Sequence, residues 1–192
     1  MLYRLRRLMN YQLSEEIDQI IRNKNSVNRA KKIEEVIGCE GYIAKNYFQG
    51  YGKCLPLKFN FEKRTKRPPD NMINTLISFI NSLVYTTTLA EIYKTQLNPT
   101  ISYLHEPGTK RFSLCLDVAE IFKPLIADRM IFSVLNKNII TENDFERESE
   151  GLYLKEEGKK KILREYDSRL SRTIMHKDLG REVSYRYLIR LE

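Results

Sequence analysis

At 192 residues the chain is long enough to bury one substantial core, and with 42% hydrophobic and 30% charged residues it is too apolar for a disordered polypeptide. The formal charge of +8 suits a polyanionic partner, because Lys and Arg gain affinity by displacing counterions from phosphates. Three cysteines without paired spacing (Cys39, Cys54 and Cys115) argue against a disulfide framework and fit a reducing cytoplasm; the basic start MLYRLRRLMN lacks a signal peptide's continuous apolar core, and no run approaches the roughly 20 apolar residues that span a membrane.

Ser14 followed by Glu15, Glu16 and Ile17 predicts the start of a short opening helix, with acids favoured at the positive end of the helix dipole. From Val27 to about Phe48 the positions Ala30, Ile33, Ile37, Ala44 and Tyr47 recur at helical intervals and predict one apolar face, despite Gly38 and Gly41. Residues 49–69 combine Gly50, Gly52, Pro56, Pro68 and Pro69 with Lys53, Lys58, Lys63, Arg64, Lys66 and Arg67, which predicts a basic loop. Asp70 then stands as the N-cap of a long apolar helix through Ile73, Leu76, Ile77, Ile80, Leu83, Val84 and Leu89 to about Gln96.

Asn98-Pro99 ends that helix, and a short segment leads to the turn His105-Glu106-Pro107-Gly108. Another helix follows from about Phe112, kinked or restarted by Pro124 and continuing to Leu135. The tail from Lys155 to Arg190 alternates charges with Ile162, Leu163, Tyr166, Leu170 and Ile174, as an exposed amphipathic helix does. No β-rich stretch stands out, so the expected fold class is all-α, a multi-helix domain over 27–192 after a helical lead-in at 1–26.

Few residues in this pattern call for chemistry. Glu40 lies between Gly38 and Gly41 in an apolar helix; it is either a solvated carboxylate or one whose glycine neighbours admit a strand or helix close to the backbone. His105 is one of two histidines and is either structural or a metal ligand. In Ser113-Leu114-Cys115-Leu116-Asp117-Val118-Ala119-Glu120, two carboxylates three residues apart share a helical face and repel unless a cation lies between them. That cation is a divalent metal, for which oxygen donors with one imidazole suit Mg²⁺ or Mn²⁺, or else Arg64, Arg67 or Arg129 in salt bridges.

Several strings in order carry a likeness: Glu40-Gly41; Phe61-Glu62-Lys63-Arg64 with Arg67-Pro68-Pro69-Asp70 and Asn74; Tyr103-Leu104-His105; and the 113–120 block continued by Ile121-Phe122-Lys123-Pro124 and Asp128-Arg129. From about residue 27 onward the chain resembles the helical catalytic domain of the CRISPR-associated integrase, the "Cas one" family of DNA endonucleases. The resemblance implies a Mg²⁺ or Mn²⁺ ion bound by Glu40, His105 and Glu120, with Asp117 in support, and insertion of spacer DNA into a CRISPR array by phosphoryl transfer. It implies a basic, aromatic surface near the metal, with Lys63, Arg64, Lys66, Arg67 and Tyr85 as DNA-binding candidates and Asp70 and Asn74 shaping the site; core packing is the other reading of Tyr85. The implied partners are protospacer and CRISPR-repeat DNA, a second copy of the chain and the small "Cas two" protein. Family members begin with a β-rich domain, which nothing before residue 27 resembles. Two other readings stand beside this one, a non-catalytic helical DNA-binding module and an unrelated helical scaffold whose acidic residues form salt bridges.

Overall fold

The computed structural model describes residues 13–59, 61–105 and 112–191. The chain forms two compact units, residues 1–67 and 68–192, divided within the basic segment. Seven helices and two small hairpins lie among the described residues, which bears out the all-α expectation in its main lines.

In the first unit, α1 (Ser14–Val27) carries Glu15 and Glu16 in its first turn, as the sequence led one to expect, and packs against α2 (Ile33–Lys53). The second helix starts six residues later than predicted and runs through Gly50 and Gly52 to Lys53, inside the stretch expected to be loop. Packing overrides the glycines here. Tyr47 and Tyr51 are buried, and with Phe48 and Phe61 they form a cluster whose ring centroids lie 5.5 to 6.3 Å apart. The expected apolar face holds only in this half: Ile33 and Ile37 are 53% and 43% exposed.

The second unit is organised around α3 (Met72–Ile92), whose Ile73, Leu76, Ile77, Ile80 and Val84 are buried. Its N-cap is Asn71, one residue beyond the expected Asp70. The Asn71 side chain accepts from the Asn74 N–H at 2.9 Å, while Asp70 Oδ1 accepts from the buried Asn74 Nδ2 at 2.7 Å. Around α3 pack α4 (Ser113–Phe122), α5 (Ala127–Asn136), a hairpin of β1 (Phe145–Arg147) and β2 (Leu152–Leu154), and the last helix. Helix α4 ends at Phe122 and α5 begins at Ala127, so Pro124 separates two helices.

The tail departs most from expectation. Helix α6 (Glu156–Ser171) buries Ile162, Tyr166 and Leu170, and then β3 (Thr173–His176) and β4 (Arg181–Ser184) form a second antiparallel hairpin before α7 (Tyr185–Leu191). Gly180 turns this hairpin with φ +60, a conformation that favours glycine. Arg190 on α7 and Lys94 both reach the buried Glu91 of α3, at 2.8 and 2.7 Å. Burial works against that carboxylate's charge, but the bonds from Lys94 and Arg190 outweigh it and hold the carboxyl below its usual range.

Candidate functional site

Helix α4 turns Cys115, Val118, Ala119 and Phe122 into the core. Its start is tied to the preceding segment, with the Leu114 N–H donating to Pro99 O at 3.0 Å and Ser113 Oγ to Thr100 O at 2.6 Å. The Cys115 thiol donates to Tyr85 O at 3.1 Å, and burial pushes it up to about 12, so it stays protonated. These ties bring residues 102–105 over the Asp117 carboxylate.

Asp117 is the organising group. Its Oδ2 accepts from the backbone N–H groups of Tyr103 and Leu104, each at 3.0 Å, and its Oδ1 accepts from the His105 N–H at 3.3 Å and from His105 Nδ1 at 2.5 Å. Ser102 Oγ donates to His105 O and closes the turn from the other side. The Asp117 side chain is fully buried. Burial alone raises a carboxyl's pKa, but the bonds from His105 and the Leu104 and Tyr103 N–H groups prevail and hold it low.

This bond fixes the chemistry of His105. A carboxylate only accepts, so Nδ1 carries a proton and donates it to Asp117, which leaves Nε2 as the ring nitrogen able to offer a lone pair. A carboxylate behind an imidazole in this way orients the ring and raises the basicity of its second nitrogen, as in many metal sites. The His105 side chain is 34% exposed.

Glu120, one turn along α4, has a different environment. Its side chain is 38% exposed and pairs with Lys123, three residues on. The shared acidic face expected from spacing is therefore divided, with Asp117 spent on the 103–105 turn and Glu120 directed to a lysine. Among the described residues neither carboxylate pairs with the arginines that the salt-bridge reading offered. Lys123 was missed in the sequence, although an i, i+3 acid–base pair is a legible signal.

The remaining candidates fall elsewhere. Glu40 sits half-buried on α2 in the first unit, where a Cβ added at Gly38 or Gly41 meets nothing within 4 Å, so no described element packs against those glycines. Lys63, Lys66 and Arg67 are exposed, and Arg64 is half-buried and donates to Thr65 O. Tyr85 is half-buried, and burial raises its hydroxyl pKa against a backbone hydrogen bond at Phe112. The turn residues 106–108 lie outside the described residues.

Among the described residues no three His, Cys, Asp or Glu side chains converge on a point that could hold a metal ion. In the second unit, the donor chemistry of His105 Nε2 and Glu120 fits a hard divalent cation that keeps several waters. Asp117 is excluded as a further ligand because four donors already occupy its oxygens. Among the described residues no helix is long and apolar enough to cross a membrane.

Comparison with known proteins bears on the same residues. Residues 1–168 match the family model described as CRISPR associated protein Cas1, so the likeness reaches back through the opening segment that the sequence reading had left outside it. The chain is 54% identical over 176 residues to the CRISPR-associated endonuclease Cas1 of Fusobacterium nucleatum, covering 92% of this chain and 52% of that protein. A Cas1 structure from Thermotoga maritima superposes with a TM-score of 0.84 at 43% identity, over 91% of this chain and 54% of that one. A casposase bound to its integration product superposes with a TM-score of 0.85 at 26% identity, over 99% and 55%. The chain thus spans about half the length of the relatives it matches.

Proposed function

This chain belongs to the CRISPR-associated Cas1 family, and on that premise we propose that it works as a metal-dependent DNA endonuclease and integrase, joining or cutting strands by phosphoryl transfer. The observation that carries the reading is the Asp117–His105 bond, an imidazole held from behind by a buried carboxylate, with the partly exposed Glu120 one turn along the helix from Asp117. A casposase bound to its integration product supports the reading, since its fold matches over nearly the whole chain.

In this reading His105 Nε2 and Glu120 would hold Mg²⁺ or Mn²⁺, and the family resemblance implies Glu40 as a further ligand. When bound, such an ion neutralises charge on the phosphate oxygens and favours deprotonation of the attacking hydroxyl or water. The protein's own part is positional. Asp117 fixes the imidazole's tautomer and direction, and it holds the turn by three N–H bonds so that the ring does not swing. Lys123 holds the Glu120 carboxylate on its helix until that partner is exchanged. The exposed Lys63, Lys66 and Arg67, with Arg64, take phosphates along the strand without reading bases, and Tyr85 supports the start of α4 beside the strand. Assembly with a second copy and with the small Cas two partner belongs to the same proposal.

A second reading, a non-catalytic DNA-binding module, rests on the net charge of +8 and the exposed Lys63, Lys66 and Arg67. Cleavage of branched and linear DNA by the purified chain in Mn²⁺, alongside Glu120→Ala and His105→Ala, separates the two. Loss of activity in both variants is expected; binding without cleavage by the parent chain supports the module instead.

A further inference from the structure

The first unit holds a cavity of about 540 Å³ lined by Glu15, Glu16, Asn46, Gln49, Gly52, Lys53, Phe61 and Glu62, within the roughly 300 to 1,000 Å³ of small-ligand clefts. In a chain of net charge +8 its wall is acidic, three carboxylates against one ammonium, so it is ill suited to a nucleic acid. Asn46 adds an acceptor, since its Nδ2 is committed to Tyr42 O at 2.8 Å and leaves the amide oxygen for the wall.

Glu16 is the unusual member. It is 5% exposed, yet only one of its oxygens is served, by Lys53 Nζ at 2.6 Å. The other, Oε2, is buried and has no hydrogen-bond partner among the described residues. A buried carboxylate oxygen without a donor is costly. Lys53 displays the chemistry this carboxylate accepts, from a side chain that is 45% exposed. A guanidinium serves both oxygens of a carboxylate at once where an ammonium serves one, and it also stacks on an aromatic face such as that of Phe61. The Phe61 wall depends on Gly52, where an added Cβ lies 2.7 Å from Phe61 O and 3.1 Å from Phe61 Cδ1.

We propose that this cavity is a recognition site for an alkyl guanidinium, the head of an arginine side chain or of a small free cation, with Glu16 as its anchor and Glu15 and Glu62 as flanking charges. It shares no residue with those proposed for phosphoryl transfer and does not rest on that proposal.

The test is a titration of the whole ¹⁵N-labelled chain with argininamide at constant ionic strength, following the amides of Asn46, Gly52 and Phe61. Saturable shifts at these amides are expected, weakened about tenfold in Glu16→Gln, as for the loss of one charge-assisted bond, and strengthened in Lys53→Met. Glu62→Gln, on an exposed loop position, gives a smaller weakening and serves if Glu16→Gln does not fold. Tighter binding of an arginine-containing peptide than of argininamide assigns the site to a protein partner, and equal binding assigns it to small cations. Shifts that do not saturate, or that persist unchanged in Glu16→Gln and Glu62→Gln, overturn the proposal.

Discussion

The two segments that carry the proposed ligands are built on opposite lines. Around His105, four bonds to a single buried carboxylate settle the position of the turn and the tautomer of the ring before anything binds. Around Glu40, the first half of α2 exposes Ile33, Ile37 and Tyr42, and its two glycines face open space. One segment is preorganised by its own hydrogen bonds, and the other offers a bare helical face to whatever approaches it. Preorganisation of this kind is where a fold invests in catalysis, while an open face is where it invests in contact.

Removing the organising carboxylate strikes at that contrast hardest. Asp117→Ala leaves the N–H groups of residues 103–105 and His105 Nδ1 without their acceptor, so chemical unfolding in urea is expected to show a loss of about 3 kcal/mol. A loss below about 1 kcal/mol would show that the turn holds without Asp117.

Acid reaches the same bond more gently. The folded Asp117 carboxyl titrates below its ordinary value of 3.8. Its contribution is therefore fully present above that value and is lost as pH falls through the folded pKa, with Glu91 and Asp144 behaving alike. Melting temperature is expected to hold from pH 7 to 5 and to fall steeply below about pH 4, with a shallower fall in Asp117→Asn.

Substitutions in the open segment should act in the other direction. Gly41→Ala adds a Cβ to an exposed helical position where nothing lies within 4 Å, and a gain of about 0.5 to 1 kcal/mol in stability is expected. If the glycine exists for close approach of DNA, the same variant cuts more slowly although it is more stable. Equal or faster cleavage would remove the case for that role.

The smallest expected change in stability is at Glu120. Its one ion pair, with Lys123, is partly exposed, and Glu120→Gln is expected to alter unfolding by less than about 0.5 kcal/mol while abolishing Mn²⁺-dependent cleavage. A large stability loss would make Glu120 a structural residue.

How much of this was legible in the sequence differs between elements. Helix α3 declared itself because its apolar run is long and nearly unbroken; only its cap was misplaced, by one residue, since both Asp70 and Asn71 are capable caps and hydrogen bonding alone decides between them. The hairpins at 145–154 and 173–184 were missed because strands of three or four residues are too short to show alternation against a charged background. In α2 the glycines at 50 and 52 suggested a break, and the tyrosine and phenylalanine cluster that holds the helix together includes Phe61, far along the chain. At the site, spacing put Asp117 and Glu120 on one face. It had no means of showing that one is consumed by the backbone of a turn twelve residues upstream, because those donors are N–H groups that every sequence possesses.

The most direct test of the account is pulsed electron paramagnetic resonance of Mn²⁺ added to the purified chain. The proposed centre predicts a ¹⁴N coupling from one directly bound imidazole, absent in His105→Ala and weakened in Asp117→Asn, in which the ring loses its charged partner. Bound Mn²⁺ without nitrogen coupling, or coupling that survives in His105→Ala, would contradict it.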